Sequence, residues 1–227
     1  MYTDTNITTH NEVKGINSNK KCINVQVMHT DANTNTNGSV ILYTNADCLT
    51  NKLNELKILI KSFTFKPAII ANTEDKPKHR WHFNINELQL QGYSMFKNDL
   101  DSSYTSGVVI YVDERLEATE INIETKFSES IFIKIKSGFI IGNIYRSPSS
   151  SQDNDNALCD LIESVSKKIS NFILVGDFNF NDIDWYHWCS LQNKASSCQF
   201  LNVLRDNLSL QHMVFPPGRE EWITRMS

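Results

Sequence analysis

Apolar residues along the chain are concentrated in short runs, and these runs predict a series of buried strands. The runs are compact and rich in β-branched side chains, which is typical of strands packed between apolar layers. They are SVILYTN (39–45), PAIIANT (67–73), GVVIYV (107–112), ATEINI (118–123), SIFIKI (130–135), GFIIGNIYR (138–146), NFILVGD (171–177) and LQHMVF (210–215). We therefore expect about eight strands.

Three stretches between these runs carry apolar residues at steps of three and four, which predicts amphipathic helices. The first runs from Leu49 to Phe63. The second covers 158–169 and is preceded by cap candidates at 153–155, and the third covers 197–208. Strands that alternate with a few helices favour a layered α/β or α+β fold in which sheets are flanked by helices.

Residues 1–38 have a different texture, since they are dense in Asn, Thr, Asp and Ser and poor in large apolar side chains. Such a segment buries too little surface to offset its ordering entropy, so we expect a mostly disordered leader ahead of one domain at 39–227. The alternating trio Ile23, Val25 and Val27 fits either a short strand or chance, and chance is the favoured interpretation.

Composition narrows the class of protein further. With 40% hydrophobic and 21% charged residues the chain is globular, and no apolar run reaches the length of a membrane span. The first residues carry no basic start followed by an apolar block, so secretion has no support. Five scattered cysteines then indicate free thiols in a reducing, intracellular compartment, nucleus or cytoplasm. The net charge of −4 argues against nucleic-acid binding driven mainly by counterion release.

The sharpest chemical feature is Asp177-Phe178-Asn179, directly after a buried run. Side chains alternate along a strand, so Asp177 and Asn179 are expected on one face, at a strand end where α/β proteins commonly bind ligands. Asp177 could then abstract a proton, and Asn179 could donate to an anionic oxygen. The alternative interpretation is an Asx-type turn that serves structure alone.

A second constellation ends the run at 138–146. Asn143 and Tyr145 are expected on one face, and Arg146 and Ser147 follow before Pro148 stops the pairing. Tyr, Arg and Ser all donate hydrogen bonds, so this rim could hold a phosphate. An ordinary polar strand end explains the pattern equally well.

Two further residues gain weight from position alone. Asn45 and Glu74 each stand at the exit of a predicted strand, as the residues of the two constellations do, although a turn Asn and a surface Glu are the ordinary interpretations. Trp81, Trp185 and Trp188 could stack on bases, but packing against the core is the favoured explanation for the last two.

The order of these motifs resembles the endonuclease/exonuclease/phosphatase superfamily. GDFN (176–179) is common to that superfamily, whereas IYRSP (144–148) and GDFN followed by IDW (183–185) look like the endonuclease domain of a non-LTR, LINE-type retrotransposon. The resemblance covers residues 39–217. It implies a four-layer α/β sandwich of two mixed sheets flanked by helices, and a DNA-nicking enzyme that works beside a reverse transcriptase, with no membrane.

The resemblance also implies a role for each matching residue. Glu74 would bind Mg²⁺, or Mn²⁺ in its place, through a hard carboxylate oxygen, and Asn45 would help to position that site. Tyr145 would orient the scissile phosphate, Asp177 would activate or position the attacking water, and Asn179 would stabilise the phosphate in the transition state. Contacts to phosphate or DNA would come from Asn143, Arg146 and Ser147.

One departure from the family pattern affects the expected activity. That pattern continues with a Leu-Asp-Leu-like strand and a Ser-Asp-His motif, and no Ser-Asp-His occurs in this sequence. We therefore expect a domain that is truncated and incomplete at its C-terminus, with little or no activity. A non-catalytic remnant that binds DNA or a partner, and a phosphatase of the same superfamily, stay as alternatives, and the oligomeric state is open.

Overall fold

The computed structural model describes residues 7–8, 26–30, 39–46, 49–73, 85–98, 107–207, 213–214 and 221–225. The chain divides into two compact units, Met1–Ala118 (unit 1) and Thr119–Ser227 (unit 2). Each unit contains one mixed six-stranded sheet and at least one helix.

Unit 1 is a sheet in the order β1-β2-β3-β4-β6-β5. Its strands are β1 (Ile7–Thr8), β2 (Gln26–Thr30), β3 (Ser39–Asn45), β4 (Ile69–Thr73), β5 (Tyr93–Asn98) and β6 (Val108–Asp113), with helix α1 at Leu49–Ser62 and 3₁₀ turns at Ile85–Leu88 and Glu114–Leu116. Among the described strands of unit 1, only β3 and β4 pair in parallel, and α1 provides the crossover between them. Leu49, Leu53 and Leu56 lie on the buried stripe of α1 and belong to the same apolar core as Leu42 of β3.

Unit 2 is a sheet in the order β13-β14-β10-β9-β8-β7, with a separate two-stranded hairpin. Its strands are β7 (Thr119–Glu120), β8 (Ser130–Lys134), β9 (Ile140–Tyr145), β10 (Phe172–Asp177), β11 (Ile183–Asp184), β12 (Cys189–Ser190), β13 (Met213–Val214) and β14 (Glu221–Arg225), with helices α2 (Gln152–Lys168) and α3 (Ala195–Asn207). β9 and β10 form its parallel pair, and β11 pairs with β12 in the hairpin.

Two helices cover the apolar side chains of unit 2. Leu158 and Ile162 of α2 and Phe200 and Leu204 of α3 are completely buried in one cluster with side chains of β9 and β10. Helix α2 begins at a Ser151 N-cap, whose side chain accepts from the Asn154 backbone N–H at 3.2 Å. The cap candidates at 153–155 are therefore wrong by two to four positions, because the Ser151 backbone is extended and its hydroxyl reaches the first turn.

The predicted mixed α/β class with two sheets and helices is confirmed. Six of the eight apolar runs overlap described strands of five or more residues. ATEINI contains only the two residues of β7, and within the described residues LQHMVF contains only the two residues of β13. The strands β5 and β14 were not predicted. YSMFKN of β5 has no strong period-2 pattern, and it becomes a strand because it pairs along its whole length with β6.

The leader contributes to the sheet of unit 1, against expectation. β1 pairs with β2, and β2 pairs antiparallel with β3, placing Val27 opposite Leu42. Val27 therefore belongs to a strand and the preference for chance was wrong there, since the apolar β3 offers a free edge to pair with. Ile23, Val25 and the rest of the leader lie outside the described residues.

Two smaller expectations concern thiols and membranes. Cys159, Cys189 and Cys198 are free thiols, whereas Cys22 and Cys48 lie outside the described residues. In the described part of the chain, no helix has both the length and the apolar character needed to cross a bilayer.

Candidate functional site

The parallel pair β9–β10 brings two predicted site residues to the same strand end. Tyr145 and Asp177 are register partners at the carboxyl ends of these strands, and the Arg146 N–H donates to the Asp177 carbonyl at 2.8 Å. Both side chains are largely buried, at 6% and 3% exposure. The structure thus places a phenol and a carboxylate side by side at one edge of the sheet, where α/β folds bind ligands.

Gly176 allows this close pairing. A Cβ atom at Gly176 would lie 1.9 Å from the carbonyl oxygen of Ile144 on β9, a distance no side chain tolerates. The close approach of the β9 backbone to β10 therefore requires a glycine at 176, directly before Asp177.

Asn179 does not continue the strand, so the predicted period-2 relation to Asp177 does not apply. Its backbone is left-handed (φ 50°), and its N–H donates to Asp177 Oδ1 at 3.2 Å. Its side-chain Nδ2 donates to the Arg146 carbonyl at 2.8 Å, while Phe178 between the two residues is completely buried. The Asx-type turn is present, and it also brings the Asn179 amide against the loop that leaves β9.

Arg146 is the most heavily engaged side chain of this region. Its guanidinium binds both carboxylate oxygens of Asp155 at 2.6 and 3.0 Å and donates to the carbonyls of Phe178 and Asn179 at 3.3 and 2.9 Å. It also lies 3.9 Å from the ring centroid of Phe180, and only 6% of it is exposed. Arg146 therefore ties the β9 exit, helix α2 and the 178–180 turn together, and a contact to phosphate would require these bonds to be broken.

A buried carboxylate that the sequence did not single out lies under the same loop. The Glu129 carbonyl accepts from the Tyr145 N–H at 2.9 Å, and its carboxylate accepts from Asn154 Nδ2 at 3.1 Å and from the Ser147 backbone N–H. Burial raises the pKa of the Glu129 carboxyl, and the bond from Asn154 opposes that shift. Nothing in ESIFIKI signals this role, because its partners lie 16 to 25 residues away.

The other predicted residues of unit 2 fill supporting positions. Asn143 is completely buried within β9, opposite Val175. Ser147 Oγ lies 3.2 Å from Ser149 Oγ in the loop after β9. Their predicted contacts to phosphate stay predictions.

In unit 1 the parallel pair β3–β4 ends in a comparable way. Asn45 is the register partner of Thr73, and the Ala46 N–H donates to the Thr73 carbonyl at 3.0 Å. Asn45 is half-buried, and Thr73 Oγ1 lies 2.9 Å from the Tyr43 hydroxyl. Glu74, the predicted metal ligand, lies outside the described residues.

No cluster of three or more His, Cys, Asp or Glu side chains suited to a metal ion occurs within the described ranges. The predicted donor set still fits a hard cation in its chemistry, because a Glu carboxylate and an Asn amide oxygen are both ligands that Mg²⁺ accepts. Residues 74–84, which include Glu74, lie outside the described ranges.

Comparison with solved structures shows similarity of fold. The 3′-5′ exonuclease NExo from Neisseria meningitidis superposes with a TM-score of 0.55 at 15% identity over 81% of this chain and 86% of that chain. The 3′ phosphatase NExo from Neisseria, bound to product DNA hairpin, gives 0.53 at 15% identity over the same shares. An endonuclease/exonuclease/phosphatase family protein from Bacteroides thetaiotaomicron gives 0.45 at 11% identity over 79% of this chain and 74% of that chain.

Of these neighbours, the Bacteroides protein is described as a member of the endonuclease/exonuclease/phosphatase family. At such low identity the NExo matches show the fold alone. No protein-family model and no curated protein matches the sequence.

Proposed function

We propose that this protein hydrolyses phosphodiester bonds of DNA in a metal-dependent reaction. The observation that carries the proposal is the alignment of Tyr145 with Asp177 at the end of the parallel pair β9–β10, with Asn179 bonded back to the β9 exit at 2.8 Å. The fold supports it, since two solved structures with this fold are a 3′-5′ exonuclease and a 3′ phosphatase bound to DNA.

Each residue of the strand end has a distinct task in this proposal. Asp177 accepts a proton from the attacking water and holds it in line with phosphorus, a role that fits a carboxylate oriented by the Asn179 N–H. One N–H of the Asn179 amide is bonded to the Arg146 carbonyl, and the other donates to the phosphoryl oxygens as charge builds there, while the phenol of Tyr145 orients the phosphate. These groups are preorganised by burial and by backbone bonds, so little is spent on ordering them during the reaction.

The metal would be held by Glu74 with the help of Asn45. When bound, Mg²⁺ or Mn²⁺ would neutralise charge on the phosphate and on the leaving oxygen. The Arg146–Asp155 pair supports the site from beneath rather than contacting the substrate.

The narrower proposal is the nicking endonuclease of a non-LTR, LINE-type retrotransposon that acts beside a reverse transcriptase. IYRSP and the pairing of GDFN with IDW support it at the level of sequence. The second candidate is a DNA-binding module without catalysis on the same scaffold, and the experiment below separates the two.

The proposal is tested by nicking of supercoiled plasmid at stoichiometric enzyme. We expect open-circle product with Mg²⁺, none with EDTA, and a loss of about 10²–10⁴-fold for Asp177→Asn. The matched control is Asp160→Asn, an equal charge change at an exposed position of α2, and it should nick like wild type.

Three other outcomes would point elsewhere. Nicking that persists in Asp177→Asn would refute the assigned role. Binding of DNA without any nicking would favour the non-catalytic module, and release of phosphate from a phosphoinositide with DNA left intact would favour a phosphatase.

A further inference from the structure

The hairpin β11–β12 presents an aromatic ring to solvent a few residues after Asp177 and Asn179. Ile183 pairs with Ser190 and Asp184 with Cys189, and the tip between them reads Trp185-Tyr186-His187-Trp188. Tyr186 is 89% exposed, the largest exposure among the large hydrophobic side chains of the described residues. Tyr and Trp rings are enriched at binding interfaces, where they combine a large apolar face with a polar end.

The tip is held in one conformation. Asp184 Oδ1 accepts from the backbone N–H groups of Tyr186 at 3.0 Å and His187 at 3.1 Å, and Asp184 Oδ2 lies 2.7 Å from His187 Nδ1. The Tyr186 ring meets the His187 ring edge-on at 4.8 Å between centroids. Tyr186 therefore stands on a fixed backbone with one neighbouring ring at its side, and its faces stay available for stacking.

The base of the hairpin is anchored to the body of unit 2. The buried Asp182 carboxylate accepts from Ser190 Oγ at 2.6 Å and from Ser197 Oγ at 2.7 Å, which joins β12 to helix α3. A ladder of rings continues this connection toward the candidate site. The ring centroids of Phe178, which lies between Asp177 and Asn179, and of Phe200 are 5.3 Å apart. The ring centroids of Phe200 and of Trp185 in the tip are 6.3 Å apart. The hairpin thus shares its support with the turn that carries the candidate catalytic groups.

We propose that Tyr186 stacks on an unpaired base of the DNA substrate, close to the bond that is cut. The inference rests on the proposed function and deepens it, because it names the part of DNA that the protein grips. A net charge of −4 leaves little affinity from phosphate neutralisation, so contacts to bases must supply a larger share of binding. Every base offers a π-face, and a single exposed ring beside polar Asp184 and His187 suits one base better than an apolar protein surface.

The first test measures DNA affinity by fluorescence anisotropy with two catalytically inert probes, a duplex with one unpaired thymine and the fully paired duplex, in EDTA. Tyr186→Ala should bind the bulged duplex about 5- to 150-fold more weakly, with a smaller change for the paired duplex. Tyr186→Phe should keep wild-type affinity because the ring remains. Phe65→Ala, which removes an exposed ring (61%) from unit 1, is the matched control and should change neither affinity.

The second test locates the contact. A 5-iodouracil at the bulge should photo-crosslink to Tyr186 in wild type, and the crosslink should be lost in Tyr186→Ala. Equal affinities of wild type and Tyr186→Ala for the bulged duplex, or a crosslink at another residue, would overturn the inference even if the plasmid is nicked. A protein that neither binds nor nicks DNA would instead refute the proposed function, and with it this inference.

Discussion

The two units end their parallel strand pairs with the same backbone geometry and different side chains. In unit 1 Asn45 faces Thr73 and the next residue, Ala46, donates its N–H to the Thr73 carbonyl at 3.0 Å. In unit 2 Tyr145 faces Asp177, and the next residue, Arg146, makes the equivalent bond to Asp177 at 2.8 Å. The same backbone geometry therefore occurs with and without the candidate catalytic side chains. The side chain of the residue after the strand determines how many further bonds hold the strand end in place.

The residue after the strand differs in kind. Ala46 is a completely buried small side chain, whereas Arg146 carries a charge that must be matched inside unit 2. Unit 1 has its own Arg–Asp pair, Arg115 with Asp113, but there 80% of the arginine side chain is exposed against 7% for Arg146. Both aspartates are buried, but Arg115 lies at the surface and Asp113 has a second partner in Lys66 Nζ at 3.1 Å, whereas Arg146 is an internal brace.

Removing the brace should give the largest effect on stability. Arg146→Ala leaves the Asp155 carboxylate buried without its partner, so we expect a loss of about 3–5 kcal/mol in the free energy of unfolding measured with urea. Arg115→Ala, the surface counterpart, should cost less. Equal losses in the two variants would show that the two pairs are equivalent after all.

Filling the contact at Gly176 should come next. Gly176→Ala would force a Cβ against the Ile144 carbonyl of β9, and we expect it to cost about 2–3 kcal/mol. Gly138→Ala is the matched control, since it also has positive φ (92°) but meets nothing within 4 Å, and it should cost only the backbone strain of about 1 kcal/mol. If urea unfolding gives the same loss for both, the close approach of β9 and β10 is not what selects glycine.

A milder change probes the strand end of unit 1. Thr73→Val removes the hydroxyl that lies 2.9 Å from the Tyr43 hydroxyl in the core, and we expect a loss of about 1 kcal/mol. Thermal and urea unfolding check this value. A loss as large as that of Arg146→Ala would mean that unit 1 is braced as strongly as unit 2.

The smallest effects are those of pH, and they have opposite signs in the two units. The hydrogen bonds from Arg115 lower the pKa of Asp113, so its stabilisation is present above its ordinary pKa of 3.8 and is lost as the pH falls below that value. Burial raises the pKa of Glu129 above its ordinary 4.5, so the folded state loses stability as the pH rises from 4.5 through the raised value.

Two amide variants separate these contributions. Asp113→Asn should be destabilised most at neutral pH, with the difference from wild type shrinking in acid. Glu129→Gln should gain on wild type as the pH rises above 4.5. Urea unfolding from below pH 3.8 to above neutral pH checks both, and parallel pH curves for Glu129→Gln and wild type would contradict the raised pKa.

Local patterns in the sequence predicted the elements that carry the site. Long apolar runs marked β3, β9 and β10, and the Asp177 and Tyr145 positions followed from where those runs stop. What the sequence could not predict depends on contacts between distant residues. The partners of Arg146 lie up to 33 residues away, and Glu129 reaches Asn154 across 25 residues.

Local conformation was missed for a related reason. Asn179 adopts a left-handed backbone and its amide bonds to the Arg146 carbonyl, so alternation has failed by the second residue beyond β10. The sequence pattern did not predict the exposed ring of Tyr186, because the exposure of a ring in a hairpin depends on the register of β11 and β12 rather than on periodicity.

The proposed division of labour between the two strand ends is tested most directly by Mn²⁺ affinity, measured by calorimetry on wild type, Glu74→Gln and Asp177→Asn. If Glu74 holds the metal while Asp177 acts on water, Glu74→Gln weakens binding by about tenfold or more, and Asp177→Asn keeps near wild-type affinity although its nicking is lost. Loss of Mn²⁺ binding in Asp177→Asn, with Glu74→Gln unaffected, would contradict the assignment.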